Sequence, residues 1–336
     1  MTQLLVAALM WVLVASLLII RRKRADRSVT YAALAIAIAM TLNVDAVYET
    51  VDPLLGGSNT GTLIADALLM IGLFFLGRGV MHTSEQRPRL VGAALSTSIL
   101  LASLAAITVA FCFIDRGATT TRFMVDLGAQ PATAIYSIIN FAYCGGVITT
   151  MLILAARQYR TSSGVQRLPA ALLVLGSAFG VALCLAVIVM DIAHVTGQLD
   201  LMRTIQPLYA PLSLLTFAFL CAGFTAQPVV RRAQQHTRHR RTTALARELE
   251  PLWERATRAR PGLSHVEPHA ANDDDPEARL HRTIVEVRDA MIDGRVTFTT
   301  TDHERALLDD AEHHLLGSNH TDLTPAKSDA DSEAEH

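Results

Sequence analysis

LLVAALMWVLVASLLII, residues 4–20, runs straight into Arg21-Arg22-Lys23-Arg24. A helix needs about 20 apolar residues to cross the hydrocarbon of a bilayer, and this run comes close to that length. Four cations at its end resist translocation and are expected on the cytoplasmic face. The segment therefore predicts a first span that enters from outside and arrives inside at Arg21. A cleaved secretory signal carries its cations before the apolar run, the reverse of the order here.

Similar apolar blocks of about 20 residues recur up to Gln227, and the remainder of the 336-residue chain is polar and charged. Half the residues are apolar and only 18% are charged, low for a water-soluble protein. The spacing predicts further spans at 30–48, 62–80, 90–114, 132–156, 168–195 and 207–226. If the spans alternate, the inner loops hold Arg21, Arg22, Lys23, Arg24, Arg27, Arg78, Arg87, Arg89, Arg157, Arg160 and Arg167. The outer segments hold only Arg116, Arg122 and Arg203. Every loop then obeys the positive-inside rule. The expected fold is an all-α membrane protein of seven transmembrane helices, amino terminus outside and carboxyl terminus cytoplasmic, with a small cytosolic helical module. The expected boundaries are 1–228 for the membrane domain, 229–317 for the module and 318–336 for a disordered tail. The expected location is the plasma membrane.

Within the module, Leu245, Leu249, Leu252 and Ala256 share one helical face. Pro261-Gly262 stops that helix. Asp275 followed by Pro276 reads as the start of a second helix, with Leu280, Ile284, Val287 and Met291 as its apolar stripe. Gly294 ends it. Thr301 and Glu304 read as a capping box opening a third helix, closed by Gly317.

The module also carries the most distinctive residues. Leu249-Glu250-Pro251-Leu252-Trp253, then Pro261, then RLHRTIVEVRD at 279–289, resembles a family of actinobacterial multi-pass membrane proteins. Its members have a hydrophobic amino-terminal half and a carboxyl-terminal domain of unknown function. The resemblance covers residues 245–292 by motif and the rest by layout. It implies a transporter label that rests on topology, and it implies no chemistry.

Five ionisable residues inside or beside the spans form the candidate ligand-binding set: Asp45, Glu49, Asp66, Asp191 and His194. Asp45 and Glu49 lie four apart, and Asp191 and His194 three apart, so each pair shares a helix face. The alternating topology puts all five at similar depth toward the outer side. Ionisable groups within a bilayer face a bundle interior or a wet cavity, and carboxylates near a histidine suit a cation, a proton relay or a basic ligand. The plainer reading is polar decoration of helix ends that water reaches. Tyr136, Asn140 and Tyr143 mark one face of the fifth span, where interhelical hydrogen bonding is the plainer account.

In the module, Trp253, Arg282, Glu286, Arg288 and Asp289 are the candidate partner-binding residues, against a plainer reading as helix-to-helix ion pairs. The expected partners are the bilayer and a cytosolic protein contacting residues 245–316. The basic run Arg231–Arg241 suits anionic lipid head groups. It lacks the aromatics and motifs of nucleic-acid binding, so no nucleic acid is expected. His265 and His269 are four apart and His313 and His314 adjacent, but no cysteine lies in the tail and the His265 region contains proline and reads as loop, so solvated histidines are the plainer reading. Cys112, Cys144, Cys184 and Cys221 sit in separate apolar blocks and read as packing residues. No phosphate loop, nucleophile elbow or HExxH pair occurs, so neither enzyme, metal nor cofactor is expected. Three functions remain: a sensor or receptor-like component signalling through its tail, a small-molecule or ion transporter, and a membrane scaffold.

Overall fold

A computed structural model describes residues 2–20, 28–82, 92, 95–259, 275–293 and 298–316. Expectations for Arg21–Arg24, Arg87–Arg89, His265, His269, Gly294, Gly317 and the tail from 318 fall outside these residues. Those described are helical with connecting turns and no strand. The chain divides into two compact units, Met1–Val230 and Arg231–His336.

The first unit contains α1 (Thr2–Ile20), α2 (Ser28–Leu42), α3 (Asp45–Leu54), α4 (Thr60–His82), α5 (Thr97–Cys112), the single-turn α6 (Phe123–Asp126), α7 (Pro131–Thr161) and α8 (Arg167–Val195). It ends with the first half of α9 (Leu199–Ala259). Five helices are long and apolar enough to cross a membrane, or six if α2 and α3 form one broken span. Two segments account for the difference from seven. The segment 30–48 is not one rod. Helix α2 ends at Leu42, Val44 adopts an extended backbone, and α3 leaves at 90°. Among the described residues of the block 90–114, the longest helix is the 16-residue α5, starting where the Ser96 side chain accepts from Ile99 N at 3.2 Å. At about 1.5 Å per residue such a helix falls short of a roughly 30 Å core.

The remaining boundary correction concerns α9. The sequence expects a loop at Asp200–Arg203, an end near Ala226 and a new helix from Val230. Instead one helix runs from Leu199 to Ala259 through Pro207, Pro211, Pro228 and Pro251. Each proline removes a single backbone bond, and the surrounding bonds carry the helix past it.

Packing in the first unit follows a closed circuit. Helix α1 lies on α2, α2 on α4, α4 on α7, and α7 on α8. Small residues bring α8 and α9 together: a Cβ on Gly176 would sit 2.8 Å from Leu220 N, and one on Gly223 3.1 Å from Leu173 N. Membrane helices use such positions for close approach, because lipid tails are as apolar as leucine and only fit separates good contacts from poor ones. Helix α9 returns to α1 through Cys221 Sγ to Met10 Sδ at 3.6 Å and Ser16 Oγ to Thr225 Oγ1 at 3.4 Å. Helix α5 stacks on α4 and α7.

The second unit packs the last part of α9 with α10 (Pro276–Ile292) and α11 (Asp302–Leu316). Leu245, Leu249, Leu252, Leu280, Ile284, Val287 and Leu308 form its core. Asp275 caps α10 by accepting from Glu277 N at 3.1 Å. Thr301 and Glu304 close the capping box on α11, with Thr301 N donating to Glu304 Oε2 at 2.9 Å. The Thr242 hydroxyl donates to Arg238 O at 2.9 Å and lies 2.9 Å from His314 Nε2.

Two shifted groups give this unit a pH dependence of one sign. Burial, then Arg241 and Arg238, hold His314 below its ordinary pKa of 6.5. The Thr301 N–H bond, followed by Arg255, holds Glu304 below 4.5. In each case the folded form binds fewer protons than the unfolded chain between the two pKa values, so stability falls as pH falls. The melting of this unit, followed by Trp253 fluorescence in a Trp11→Phe background, is expected to drop as pH goes from 7.5 to 5.5. His314→Gln keeps a donor for Thr242 and is expected to flatten that drop. A profile unchanged by His314→Gln would refute the assignment.

Candidate functional site

The end of the first unit where α4, α7 and α9 begin is organised by an acid that the sequence places in a loop. Asp52 lies inside α3 and is fully buried. Its Oδ1 accepts from Gly61 N at 2.9 Å, and its Oδ2 from Asn59 N at 3.0 Å and Thr119 Oγ1 at 2.7 Å. Asn59 is equally buried, with its backbone at φ 59°. Its amide nitrogen donates to the carbonyls of Arg116 and Ala118 at 2.9 and 3.0 Å. Its Oδ1 accepts from Thr120 N at 2.8 Å and Tyr48 OH at 3.1 Å. Asp52 and Asn59 thus tie the α3–α4 turn to the 113–120 segment and fix where α4 starts.

Asp66 sits less than two turns into α4. Tyr136 OH donates to its Oδ2 at 2.6 Å, and Asn140, one turn farther along α7, stands beside the same carboxylate. Cys144 Sγ donates to Asn140 Oδ1 at 3.8 Å, which leaves the Asn140 amide nitrogen for Asp66. Tyr136 itself is clamped between Phe111 and Phe123, with ring centroids 5.8 and 6.1 Å away. Residues that the sequence treats as two separate polar sets, Asp66 and the Tyr136–Asn140 face, are one site.

The other expected members divide. Asp191, on α8, is buried beside Ser137, the residue after Tyr136 on α7. His194 shares its helix, but its ring seats against Gly128: a side-chain carbon there would meet Nδ1 at 2.6 Å. Asp45 and Glu49 share a face of α3 as their spacing predicts, yet both are exposed and neither bonds to Asp66 or Asp191. The 90° turn before α3 swings them off the line of α2, so they do not join the buried acids. Five buried side-chain oxygens lack a hydrogen-bond partner among the described residues: Thr133 Oγ1, Ser137 Oγ and Tyr143 OH on α7, with Ser177 Oγ and Asp191 Oδ2 on α8. All five belong to the same pair of helices. Sequence reading misses Asp52, Asn59, Thr133 and Ser137. A weak signal exists for one face only: Ser177, Cys184 and Asp191 recur every seven residues.

In the second unit, three of the five expected partner-binding residues are occupied internally. The Trp253 indole N–H donates to the buried Glu286 carboxylate. Arg288 donates from Nε to Glu312 and from Nη2 to Asp309, both at 2.6 Å, and Glu312 first, then Asp309, raise its pKa. These side chains bond α9 to α10 and α10 to α11, so they build the unit and are not a free face. Arg282 and Asp289 remain exposed. His313 is exposed, and His314 is committed to Thr242.

One family model matches the chain, a family of unknown function (DUF6545), over residues 235–334. No curated protein and no solved structure matches it. The carboxyl-terminal part is therefore a domain of unknown function, as its motif implies, and the match reaches beyond the residues 245–292 that carry that motif.

Proposed function

We infer that this chain is a receptor-like membrane protein, in which buried acids of the helical bundle bind a small cationic ligand and the carboxyl-terminal module carries the output. The supporting observation is Asp66, a carboxylate set within an apolar bundle and positioned by Tyr136 and Asn140. An ionisable group in such a place is costly, and function is the usual reason for keeping it. In this reading the chain makes seven crossings of the plasma membrane, with α2–α3 and the short α5 counted as two of them. The amino terminus is outside and the module cytoplasmic, on the strength of the arginine distribution. Arg282 and Asp289, with the exposed Val285 and Ile292 on the same face of α10, offer the module's contact surface for a cytosolic protein.

Transport of a small solute is the second reading, favoured by the family resemblance and by the run of unpartnered oxygens along α7 and α8. One experiment separates the two. The purified chain is exposed to a panel of small organic amines, and melting and protease cleavage of the module are followed. A receptor shows amine-dependent stabilisation together with altered cleavage between residues 260 and 316, and Asp66→Asn abolishes both. Uptake of the same amines into proteoliposomes by a chain truncated at Val230 would instead establish transport. Stabilisation that survives Asp66→Asn would remove Asp66 from either role.

A further inference from the structure

Helices α2 and α4 lie antiparallel along one another. A Cβ on Gly72 of α4 would meet Ile36 Cγ1 at 2.5 Å and Ala32 O at 3.0 Å, and one on Gly79 would meet Val29 Cγ2 at 2.6 Å. Seven residues forward on α4 match seven residues back on α2. Helix α4 is long and apolar enough to cross a membrane, so α2 shares its direction of crossing. Helix α3 departs from α2 at 90° and therefore runs parallel to the membrane plane. Tyr48 sets its level. The Tyr48 ring would meet a Cβ on Gly61 at 3.1 Å, and its hydroxyl lies 2.8 Å from Thr62 Oγ1. Both contacts fall in the first turn of α4, where the apolar span begins. Helix α3 thus lies at the edge of the hydrocarbon and does not pass through it. Length agrees with this placement. The 15 residues of α2 reach about 22 Å, short of a roughly 30 Å core. A helix in the interface lies about 5–10 Å into the boundary between head groups and acyl chains, which covers the shortfall.

Three sides of α3 differ in chemistry. Tyr48 and Asp52, four apart, are buried and face the bundle. Asp45 and Glu49 form one flank, exposed and without a partner among the described residues. Val47, Val51 and Leu54 form the other flank, about half a turn round the helix from the acids. Leu54 is 81% exposed, so the described residues of the chain leave it uncovered. Carboxylates without a partner keep to water, and the flank opposite them is then turned from water. No Lys or Arg occurs between Asn43 and Thr60, so acyl chains and not anionic head groups fit this surface.

We propose that α3 is an interfacial anchor, lying in the membrane surface with Val47, Val51 and Leu54 among lipid acyl chains and Asp45 and Glu49 in the water above. Asp52, on the bundle side of the same helix, carries that placement to the start of α4 through Asn59 N and Gly61 N. The anchor rests on the membrane reading of the first unit and is independent of the receptor reading.

The test uses the full chain in phosphatidylcholine vesicles. Cys112→Ser removes the exposed thiol, and Cys144, Cys184 and Cys221 are buried. Leu54→Cys, Glu49→Cys and Leu185→Cys are made singly in that background and labelled with a nitroxide. Residues 54 and 49 are exposed, so neither change touches the core. Leu185, in the middle of α8 and 58% exposed, reports the hydrocarbon. Spin relaxation by oxygen, which concentrates in hydrocarbon, is compared with relaxation by a water-soluble nickel chelate. The ratio of oxygen to nickel accessibility is expected to be several-fold higher at position 54 than at position 49. Replacing part of the phosphatidylcholine with an anionic lipid is expected to leave that ratio unchanged. Equal nickel accessibility at 54 and 49, with 185 reading lipid, overturns the anchor and leaves the membrane reading standing. Nickel accessibility at 185 overturns both. A label at 54 shielded from both reagents overturns the anchor in favour of a second protein chain on this flank.

Discussion

Asp52→Ala is expected to destabilise the first unit by about 3–5 kcal/mol, the three lost acceptor bonds each contributing on the order of 1–2 kcal/mol. Asp52 is fully buried, and it alone accepts from Asn59 N, Gly61 N and Thr119 Oγ1. Truncation leaves two backbone N–H groups in the protein interior without acceptors, and buried orphan donors carry the full cost of desolvation. Two milder changes make a graded series. Thr119→Val removes a single donor and is expected to cost about 1 kcal/mol. Asp52→Asn retains one carbonyl oxygen but turns an amide N–H₂ toward a donor, so it falls between the two. Thiol-reactivity melting reads all three, because Cys144, Cys184 and Cys221 are buried while the bundle is intact. An Asp52→Ala protein that melts like the parent would show that the turn is not tied through this carboxylate.

Leu249→Asp is expected to unfold the second unit altogether, and Leu249→Ala to cost about 2–5 kcal/mol. Leu249 is fully buried at the centre of a core shared by α9, α10 and α11. A small unit has little stability in reserve, so one cavity of leucine size consumes much of it. An aspartate there adds the cost of a buried charge with no counter-ion. Trp253 reports the outcome, because its indole N–H is held by Glu286 within the same unit. In a Trp11→Phe background its emission shifts to the red and is readily quenched when the unit opens. Retention of the parental spectrum in Leu249→Asp would mean that the leucine does not hold this core together.

The helices were legible because their signals are periodic or long. The apolar run at 4–20, the stripe Leu280–Ile284–Val287–Met291 and the Thr301–Glu304 box each depend on neighbours in sequence, and each has its counterpart in α1, α10 and α11. Span boundaries were not legible where a single residue decides the outcome. Val44 leaves the helical region and turns α3 through 90°, and Ser96 caps α5 late. Neither event changes mean hydropathy enough to show. The acids were harder still. Asp45, Glu49 and Asp52 lie within eight residues of one another, and what distinguishes the buried one is a turn that aims Asn59 N and Gly61 N at it, together with Thr119 from a distant segment. The same holds for Tyr136, whose acceptor Asp66 is on another helix. In the module, charges that suggest an outward face from the α10 spacing alone turn inward, because α11 supplies Asp309 and Glu312 to Arg288.

The hydroxyl of Thr242 has a single hydrogen, and it goes to Arg238 O. The contact with His314 must then run the other way, with Nε2–H as donor and Thr242 Oγ1 as acceptor. Neutral His314 is thereby fixed as the Nε2–H tautomer, and acid delivers its proton to Nδ1. No hydrogen bond is broken in that step. What opposes the proton is the partial burial of the ring, followed by the nearby guanidinium groups of Arg241 and Arg238. Added salt screens the second of these far more than the first. The acid response of the module should therefore persist in high salt but move closer to the pH at which a free imidazole titrates, and ring ¹⁵N chemical shifts would record both the tautomer and the move.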